Sequence, residues 1–426
     1  MRNWNRLRYF IDSLIILLNI AGARGNYLPY FLFNMDRGIW VDAVIIVIDL
    51  IYLAFRMGDL LRRKRQPYTT PVLIAIILVA YNTLNVFISG GNYMPYFEFL
   101  IILILFSMIL SVICSGFRGT PIPLYDQVKQ VSRGYIWISM FSILGAVVSF
   151  ILLEMGFTSY EPVSADFLES NIESGATYYR SFFSINSTDS ILRVPFFQDF
   201  GMLSGLFHEP HIFAYNAFPC LFLLMGLYNK GISKIIWIVL SVLVVLFSGS
   251  TTNILALAIC LLVFYFLRVR SNFVLTTFGV ILMVAVVYLY TGYDDTLYEF
   301  VLGRLETGNY SQTYSRSLLE FAFTPKSFFG TDFLTTSYIT SSSQAQDVGF
   351  IPFFMNIVFM ILYLRNVYLL FKKEDNLCFF IAMSSLYFII HSLKIAMTMY
   401  IQTPYIFLVY LQSLALSYYG RISAAK

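Results

Sequence analysis

The sequence predicts an all-α polytopic membrane protein with about twelve transmembrane helices and two long outer-face loops that contain short helices. Three observations predict this class. Hydrophobic residues make up 58% of the 426 positions and charged residues only 12%. The mean hydropathy is +0.72. Apolar runs of about 20 residues, the length that crosses a bilayer core, recur along the chain, which excludes an ordinary soluble domain.

The predicted spans follow one another with short connections except at two places. They are 8–22, 39–56, 71–89, 95–115, 134–156, 207–228, 233–248, 251–267, 272–291, 349–371, 376–396 and 402–419. Between the seventh and eighth spans, the polar stretch from Ser248 to Thr252 predicts a tight turn with a Ser/Thr N-cap for the eighth helix.

The two long polar segments divide the chain into five parts. These are membrane helices 1–5 (1–156), a first long loop (157–206), helices 6–9 (207–291), a second long loop (292–348) and helices 10–12 (349–426). Both loops are rich in aromatic residues, which favours packed structure, and we expect short helices lying over the outer face.

Charge distribution predicts the orientation. Most of the 28 Lys and Arg residues fall on one side of the predicted topology, together with both termini, and most carboxylates fall on the other. Positive residues concentrate in the cytoplasm, so we expect both termini to be cytoplasmic. No small-residue cleavage site follows the first apolar run, so we expect that helix to remain. The four cysteines all lie in apolar runs and are predicted to be buried free thiols.

A cluster of ionisable residues stands where the first long loop meets the sixth span. His208, Glu209 and His211 flank Pro210, which lacks an N–H and suits a first helical turn. The free N–H groups and positive dipole end of that helix would face the same aqueous side, which predicts a site for anions and proton transfer. The alternative interpretation is a capped helix start with interfacial side chains.

Four arginines lie in the two long outer loops, against the topological rule. Guanidinium groups bind phosphate in bidentate fashion, so their convergence would suit a lipid-linked diphosphate. Alternatively, each pairs with a nearby carboxylate. The four are Arg180, Arg193, Arg304 and Arg316.

Ionisable residues also occur inside predicted spans. His391 and Lys394 share one face of the eleventh span by helical spacing, near its outer end. Such residues usually face a water-filled cavity or bind something, although Lys394 is also close enough to the interface to extend into it. Asp12 and Asp49 are weaker candidates, because both can simply pair with polar neighbours.

Other chemistries receive less support. His208, Glu209 and His211 offer metal ligands, but Pro210 breaks the helical geometry of an HExxH-type site, so no metal is predicted. No GxSxG motif for a Ser-His-Asp hydrolase is present, and no P-loop or dinucleotide motif occurs in the cytoplasmic connections. We expect no cofactor and no nucleic-acid partner.

Several short motifs carry a resemblance. Arg193-Val, followed by Leu203-Ser-Gly-Leu-Phe-His-Glu-Pro-His-Ile-Phe-Ala, resembles the R…GLF-x-EP-x-x-FA signature of Wzy-type O-antigen polymerases. The Ser248–Thr252 turn is similar to the S-x-S-T turn of that family. The second loop resembles the family pattern in Tyr314-Ser-Arg316, in Pro325 to Gly330 and in Asp347 to Pro352. The motifs together cover about residues 190–355.

The resemblance implies a GT-C-type glycosyltransferase at the outer face of the bacterial inner membrane. Its donor and acceptor would be oligosaccharide repeat units on undecaprenyl diphosphate, with membrane lipid and a chain-length-regulating protein as further partners. Related O-antigen ligases usually carry a histidine in the second loop, whereas this chain has none between His211 and His391. That difference favours a polymerase over a ligase. A lipid-linked oligosaccharide flippase and a non-enzymatic membrane scaffold are the two competing interpretations from different classes of protein.

The expected mechanism combines the resemblance with the residues. The loop arginines, helped by Lys394 and the helix start at Pro210, would hold the donor diphosphate and stabilise the charge that builds on it. Glu209 or His208 would accept the proton of the attacking sugar hydroxyl. Which of the two does so stays open.

Overall fold

The computed structural model shows a helical bundle with one small sheet. The described residues are 2–21, 39–62, 94–115, 122–157, 161–162, 178–192, 200–207, 210–228, 231–248, 251–269, 350–392 and 399–424, with a few isolated positions besides. The ten α-helices within these ranges are α1 (Arg2–Ala21), α2 (Ile39–Arg62), α3 (Met94–Ser115), α4 (Leu124–Glu154), α5 (Pro210–Leu227), α6 (Ile232–Ser248), α7 (Thr251–Phe264), α8 (Phe350–Phe371), α9 (Asn376–Ser392) and α10 (Met399–Ala424). A π-helical turn, Tyr265–Val269, follows α7 directly.

Helices dominate the described residues, so the mostly helical fold class is confirmed. Each described helix overlaps a predicted span. The ninth predicted span and the second long loop lie outside the described residues, as does most of the third span. Among the described helices, α4 is long and apolar enough to cross a membrane by length and composition, and six shorter apolar segments accompany it.

Helix α4 begins ten residues before the span that hydropathy predicted. The helix begins at Leu124, directly after Pro123, whereas hydropathy placed the span at 134–156. The additional turns contain polar residues, which lower the local hydropathy, yet Gln127 is buried. The Tyr125 hydroxyl donates to the carbonyl oxygen of Leu227 at 2.6 Å, which fixes the start of α4 to the end of α5. Polar residues can thus belong to a buried helix when they have partners.

Helices α5 and α9 form the centre of the bundle and run antiparallel. Tyr215 packs on Phe388 with ring centroids 4.3 Å apart, and Phe218 packs on Tyr387 at 4.9 Å. One turn further along, the Ser384 hydroxyl donates to the carbonyl of Pro219 at 2.9 Å. All these aromatic side chains are buried, and they fill the bundle core.

A polar contact joins α1 to α2. The Asp12 carboxylate accepts a 2.6 Å hydrogen bond from the Tyr52 hydroxyl and lies 3.4 Å from Arg56 Nη2. Asn19 Nδ2 donates to Asp49 Oδ1 at 2.9 Å. All five residues are buried. The interpretation that Asp12 and Asp49 pair with polar neighbours is therefore confirmed.

The described part of the first long loop is a sheet, which corrects the prediction of short helices there. Its four antiparallel strands, in the order β1-β2-β3-β4, are β1 (Glu161–Pro162), β2 (Tyr178–Ser181), β3 (Ser184–Leu192) and β4 (Phe200–Leu203). Strands β2 and β3 are joined by a tight turn in which Phe182 has φ 44°. The Ser149 hydroxyl of α4 donates to the Ser181 carbonyl at 2.9 Å and accepts from the Phe183 N–H, so the sheet covers the end of α4.

We call the side of the bundle where α4 ends at Glu154, α5 begins at Pro210 and α9 ends at Ser392 the sheet end. Ring contacts place the end of α6 there, since Phe247 lies 5.2 Å from Phe150 of α4. The start of α7 lies there as well, because the Tyr387 hydroxyl of α9 donates to Asn253 Oδ1 at 2.9 Å. Several chain segments that are distant in sequence thus meet at the sheet end.

Candidate functional site

The residues that lead into α5 form a buried, anchored turn. Ile185 of β3 exchanges two backbone hydrogen bonds with this turn, one with Ser204 at 2.8 Å and one with Gly205 at 2.9 Å. The Leu206 N–H donates to the Ser142 hydroxyl of α4 at 3.0 Å. Leu206 and Phe207 are buried. The chain is therefore fixed by both the sheet and α4 immediately before the predicted site.

Helix α5 begins at Pro210, which confirms the predicted helix start. His211 is its second residue. His208 and Glu209 lie outside the described residues, between Phe207 and Pro210 in the chain. The flanking residues Phe207 and Pro210 are both placed at the sheet end, where the first N–H groups of a helix such as α5 favour negative charge.

The pairing of α5 with α9 brings His391 to the same place. Tyr215 opposes Phe388 and Pro219 opposes Ser384, so residue numbers rise on one helix as they fall on the other. His391 is the second-last residue of α9, and this register sets its backbone position beside the first turn of α5. Lys394 lies outside the described residues. The structure therefore brings together two candidate regions that are distant in sequence, the start of α5 and the end of α9.

The turn between α6 and α7 is the third segment at this site. Helix α6 ends at Ser248 and α7 begins at Thr251, so the predicted division of this apolar region is confirmed. Asn253 is completely buried, and its side chain contacts the Ser248 hydroxyl at 3.4 Å and the Tyr387 hydroxyl at 2.9 Å. Sequence reasoning missed Asn253 and Tyr387, although an asparagine within an apolar run was a usable signal.

Arg180 is the one candidate arginine within the described residues. It lies on β2, and its Nη2 atom is 3.3 Å from Glu161 Oε2 of β1. Arg180 pairs with Ile185 of β3, and Ile185 forms backbone hydrogen bonds with the turn before α5. Arg180 therefore lies two strand spacings, roughly 10 Å, from that turn. The Glu161 side chain is 66% exposed, and exposed ion pairs contribute little to stability. The Arg180–Glu161 ion pair therefore contributes little to the stability of the sheet.

The remaining predictions about site residues have mixed outcomes. Arg193, Arg304 and Arg316 lie outside the described residues. All four cysteines are buried, as expected: Cys114, Cys220, Cys260 and Cys378. Among the described residues, no group of three or more His, Cys, Asp or Glu could hold a metal ion.

Replacing Gly205 tests how tightly the turn before α5 is built. Its φ of +54° is left-handed, and an added Cβ would overlap the Ser142 hydroxyl and lie 2.8 Å from the Ser142 carbonyl oxygen. Gly231 has a similar φ of +56° but nothing within 4 Å. We expect Gly231→Ala to lower the free energy of unfolding by about 1–2 kcal/mol through backbone strain alone. Gly205→Ala should cost about 1–3 kcal/mol more because of crowding. Unfolding of both variants in detergent measures the difference, and equal losses would contradict the close contact.

The comparisons with known proteins are negative. No family model, no curated protein and no solved structure matches the chain.

Proposed function

We propose that this protein is a polytopic membrane glycosyltransferase that polymerises oligosaccharide repeat units carried on undecaprenyl diphosphate. The observation that carries the proposal is the meeting of three segments at the sheet end: the first turn of α5, the last turn of α9 and the turn between α6 and α7. His211 belongs to the first of these segments, which His208 and Glu209 directly precede in the chain, and His391 belongs to the second. A base and an anion-binding helix start would thereby lie side by side.

Apolar surface supports a multi-pass arrangement with about twelve spans. Helix α6 exposes a run of aliphatic side chains, with Ile232 76% and Ile235 62% exposed. Similar exposed aliphatic residues occur on α2, α4 and α8. Water-soluble proteins rarely expose contiguous apolar patches of this kind, whereas hydrocarbon chains of a lipid bilayer solvate them well. These helices are proposed to lie in the inner membrane.

The directions in which α7, α8 and α9 run give further support to the proposed topology. Helix α7 begins at the sheet end and runs antiparallel to α9, since Phe264 packs on Phe379 at 5.7 Å. Helix α8 also runs antiparallel to α9, because the Tyr363 hydroxyl donates to the Ser385 carbonyl and Phe371 packs on Phe379. A single further span between α7 and α8 accounts for these directions. In the proposed topology the sheet end faces the periplasm and the C-terminus is cytoplasmic.

The proposed reaction divides into binding and proton transfer. Glu209 or His208 takes the proton from the acceptor sugar hydroxyl, whose oxygen bonds to the anomeric carbon of the donor sugar as the bond between that carbon and the diphosphate breaks. The N–H groups at the start of α5 stabilise the departing diphosphate. Cationic side chains from the loops and from beyond α9 complete this binding site: Arg180, Arg193, Arg304, Arg316 and Lys394.

The test is direct polymerisation. Purified protein in detergent is mixed with the undecaprenyl-diphosphate repeat unit of its host, without nucleotide sugar and with a chelator, and products are separated by saccharide chain length. A ladder of products is expected. Intact substrate would overturn the polymerase assignment, and adding lipid A-core acceptor would then test for a ligase.

A lipid-linked oligosaccharide flippase is the second candidate, favoured by one observation. Asp12, Asp49 and Arg56 are buried in helices that are proposed to span the membrane, and ionisable residues within spans often mark transport pathways. The clustering of candidate residues at one end of the bundle favours the enzyme. A flipping assay in liposomes separates the two, because a polymerase is expected to leave the lipid-linked unit on its original side.

A further inference from the structure

The Asn19–Asp49 contact between α1 and α2 has an incomplete set of hydrogen bonds. The two N–H groups of the Asn19 amide are used, one by Asp49 Oδ1 at 2.9 Å and one by the Ile15 carbonyl at 3.1 Å. Within the described part of the chain, Asn19 Oδ1 and Asp49 Oδ2 have no hydrogen-bond partner, and both side chains are completely buried. Two unpaired oxygens in one buried contact carry a large desolvation cost.

A single proton removes this deficit. Asn19 Oδ1 shares its carbon with Nδ2, the donor of the existing hydrogen bond, and Asp49 Oδ2 shares its carbon with Oδ1, the acceptor. The two unpaired oxygens therefore belong to groups that already face each other. A proton on Asp49 Oδ2 converts that oxygen from an acceptor to a donor, and Asn19 Oδ1 is the acceptor that lacks a donor. The neutral carboxyl group also avoids burying an unpaired charge.

The neighbouring carboxylate shows the opposite arrangement. Asp12 has both oxygens engaged, one by the Tyr52 hydroxyl and one by Arg56 Nη2. It lies seven residues before Asn19, about 10 Å along α1. Asp12 is thus built to be ionised, whereas Asp49 faces an amide and hydrogen-bonds to no cation among the described residues.

We propose that Asp49 carries a proton in the folded protein and donates it to Asn19, so that the α1–α2 contact is a buried proton-binding site. The proposal does not depend on glycosyl transfer. The other titratable residues with described side chains on α1, α2 and the helices that pack on them are Arg8, Tyr9 and Asp12 on α1, Asp42, Tyr52, Arg56, Asp59 and Arg62 on α2, Cys114 on α3, Tyr125, Asp126, Lys129, Arg133, Tyr135 and Glu154 on α4, and Tyr405, Tyr410, Tyr418 and Tyr419 on α10.

The test compares two matched variants, Asp49→Asn and Asp12→Asn, in the purified full-length protein. Asp49→Asn keeps the shape and the neutral charge of a protonated Asp49, so the thermal unfolding midpoint should stay close to that of the unmodified protein. Asp12→Asn should lower the midpoint, because Arg56 loses its counter-ion. In the unmodified protein, unfolding releases the Asp49 proton at every pH above the range in which a free aspartate titrates, so the unfolding constant should rise by up to about tenfold per pH unit from that range upward and level off once folded Asp49 itself loses the proton. That dependence should vanish in Asp49→Asn.

Infrared spectroscopy provides a second readout. The unmodified protein should show the C=O stretch of a protonated carboxylic acid, which Asp12→Asn retains and Asp49→Asn loses. A midpoint that falls as far in Asp49→Asn as in Asp12→Asn would overturn the proposal. Failure of Asp49→Asn to fold would overturn it too, as would a spectrum in which Asp49→Asn removes no protonated-acid band.

Discussion

Replacing Arg56 with methionine is expected to lower the free energy of unfolding by about 3–5 kcal/mol. Arg56 and Asp12 are both almost completely buried, with Nη2 and Oδ2 separated by 3.4 Å. Removing the guanidinium takes the nearest counter-ion from the Asp12 carboxylate in an apolar interior, where the Tyr52 hydroxyl and the more distant Arg8 do not compensate its desolvation. Chemical unfolding of the purified protein in detergent, followed by circular dichroism, measures the loss.

Two further variants decide whether the buried ion pair causes this loss. Arg62→Gln changes an exposed arginine at the end of the same helix and should shift stability by no more than about 0.5 kcal/mol. The double variant Asp12→Asn/Arg56→Met removes both charges and should recover part of the loss, because no buried charge remains unpaired. A double variant as unstable as the sum of both single variants would contradict a direct coupling of Asp12 with Arg56.

Local signals in the sequence predicted the boundaries that matter most for the candidate site. Pro210 marked the first residue of α5, and the polar residues after Ser248 marked the end of α6 and the start of α7. Both are local effects: proline acts through its fixed φ and missing N–H, whereas serine and threonine act through side-chain hydrogen bonds to nearby backbone groups. Proline suits a first helical turn, and serine and threonine favour helix starts over helix interiors.

Features that depend on distant partners were not predicted. The strand β3 is rich in serine, threonine and asparagine, and pairs with residues on both sides of it in sequence, Tyr178–Ser181 and Phe200–Leu203. Strand preference depends on such neighbours more than on the residue itself. The hydrogen bond between Tyr387 and Asn253 likewise joins two segments far apart in sequence. Hydropathy alone gives no information about such a pairing.

Replacing Glu209 with glutamine is expected to reduce the rate of polymerisation by about 10²- to 10⁴-fold, the usual contribution of a general base. Glutamine retains the size of the side chain but cannot accept the proton of a sugar hydroxyl. The anchored residues around it, Gly205 to Phe207 and Pro210, should keep their positions, so the amount of protein in the membrane should not change. Product ladders from equal amounts of purified protein give the comparison.

Glu161→Gln is the matched control, because it removes an exposed carboxylate from the sheet that covers the same end of the bundle. We expect it to retain the full ladder, since Glu161 is the exposed partner of Arg180 and lies on the edge strand. His208→Ala then distinguishes the two candidate bases. If Glu209 is the base, His208→Ala weakens polymerisation much less than Glu209→Gln; the reverse order assigns the proton transfer to His208. A normal ladder from both variants would contradict a base in this segment and would shift the search to His391 at the end of α9.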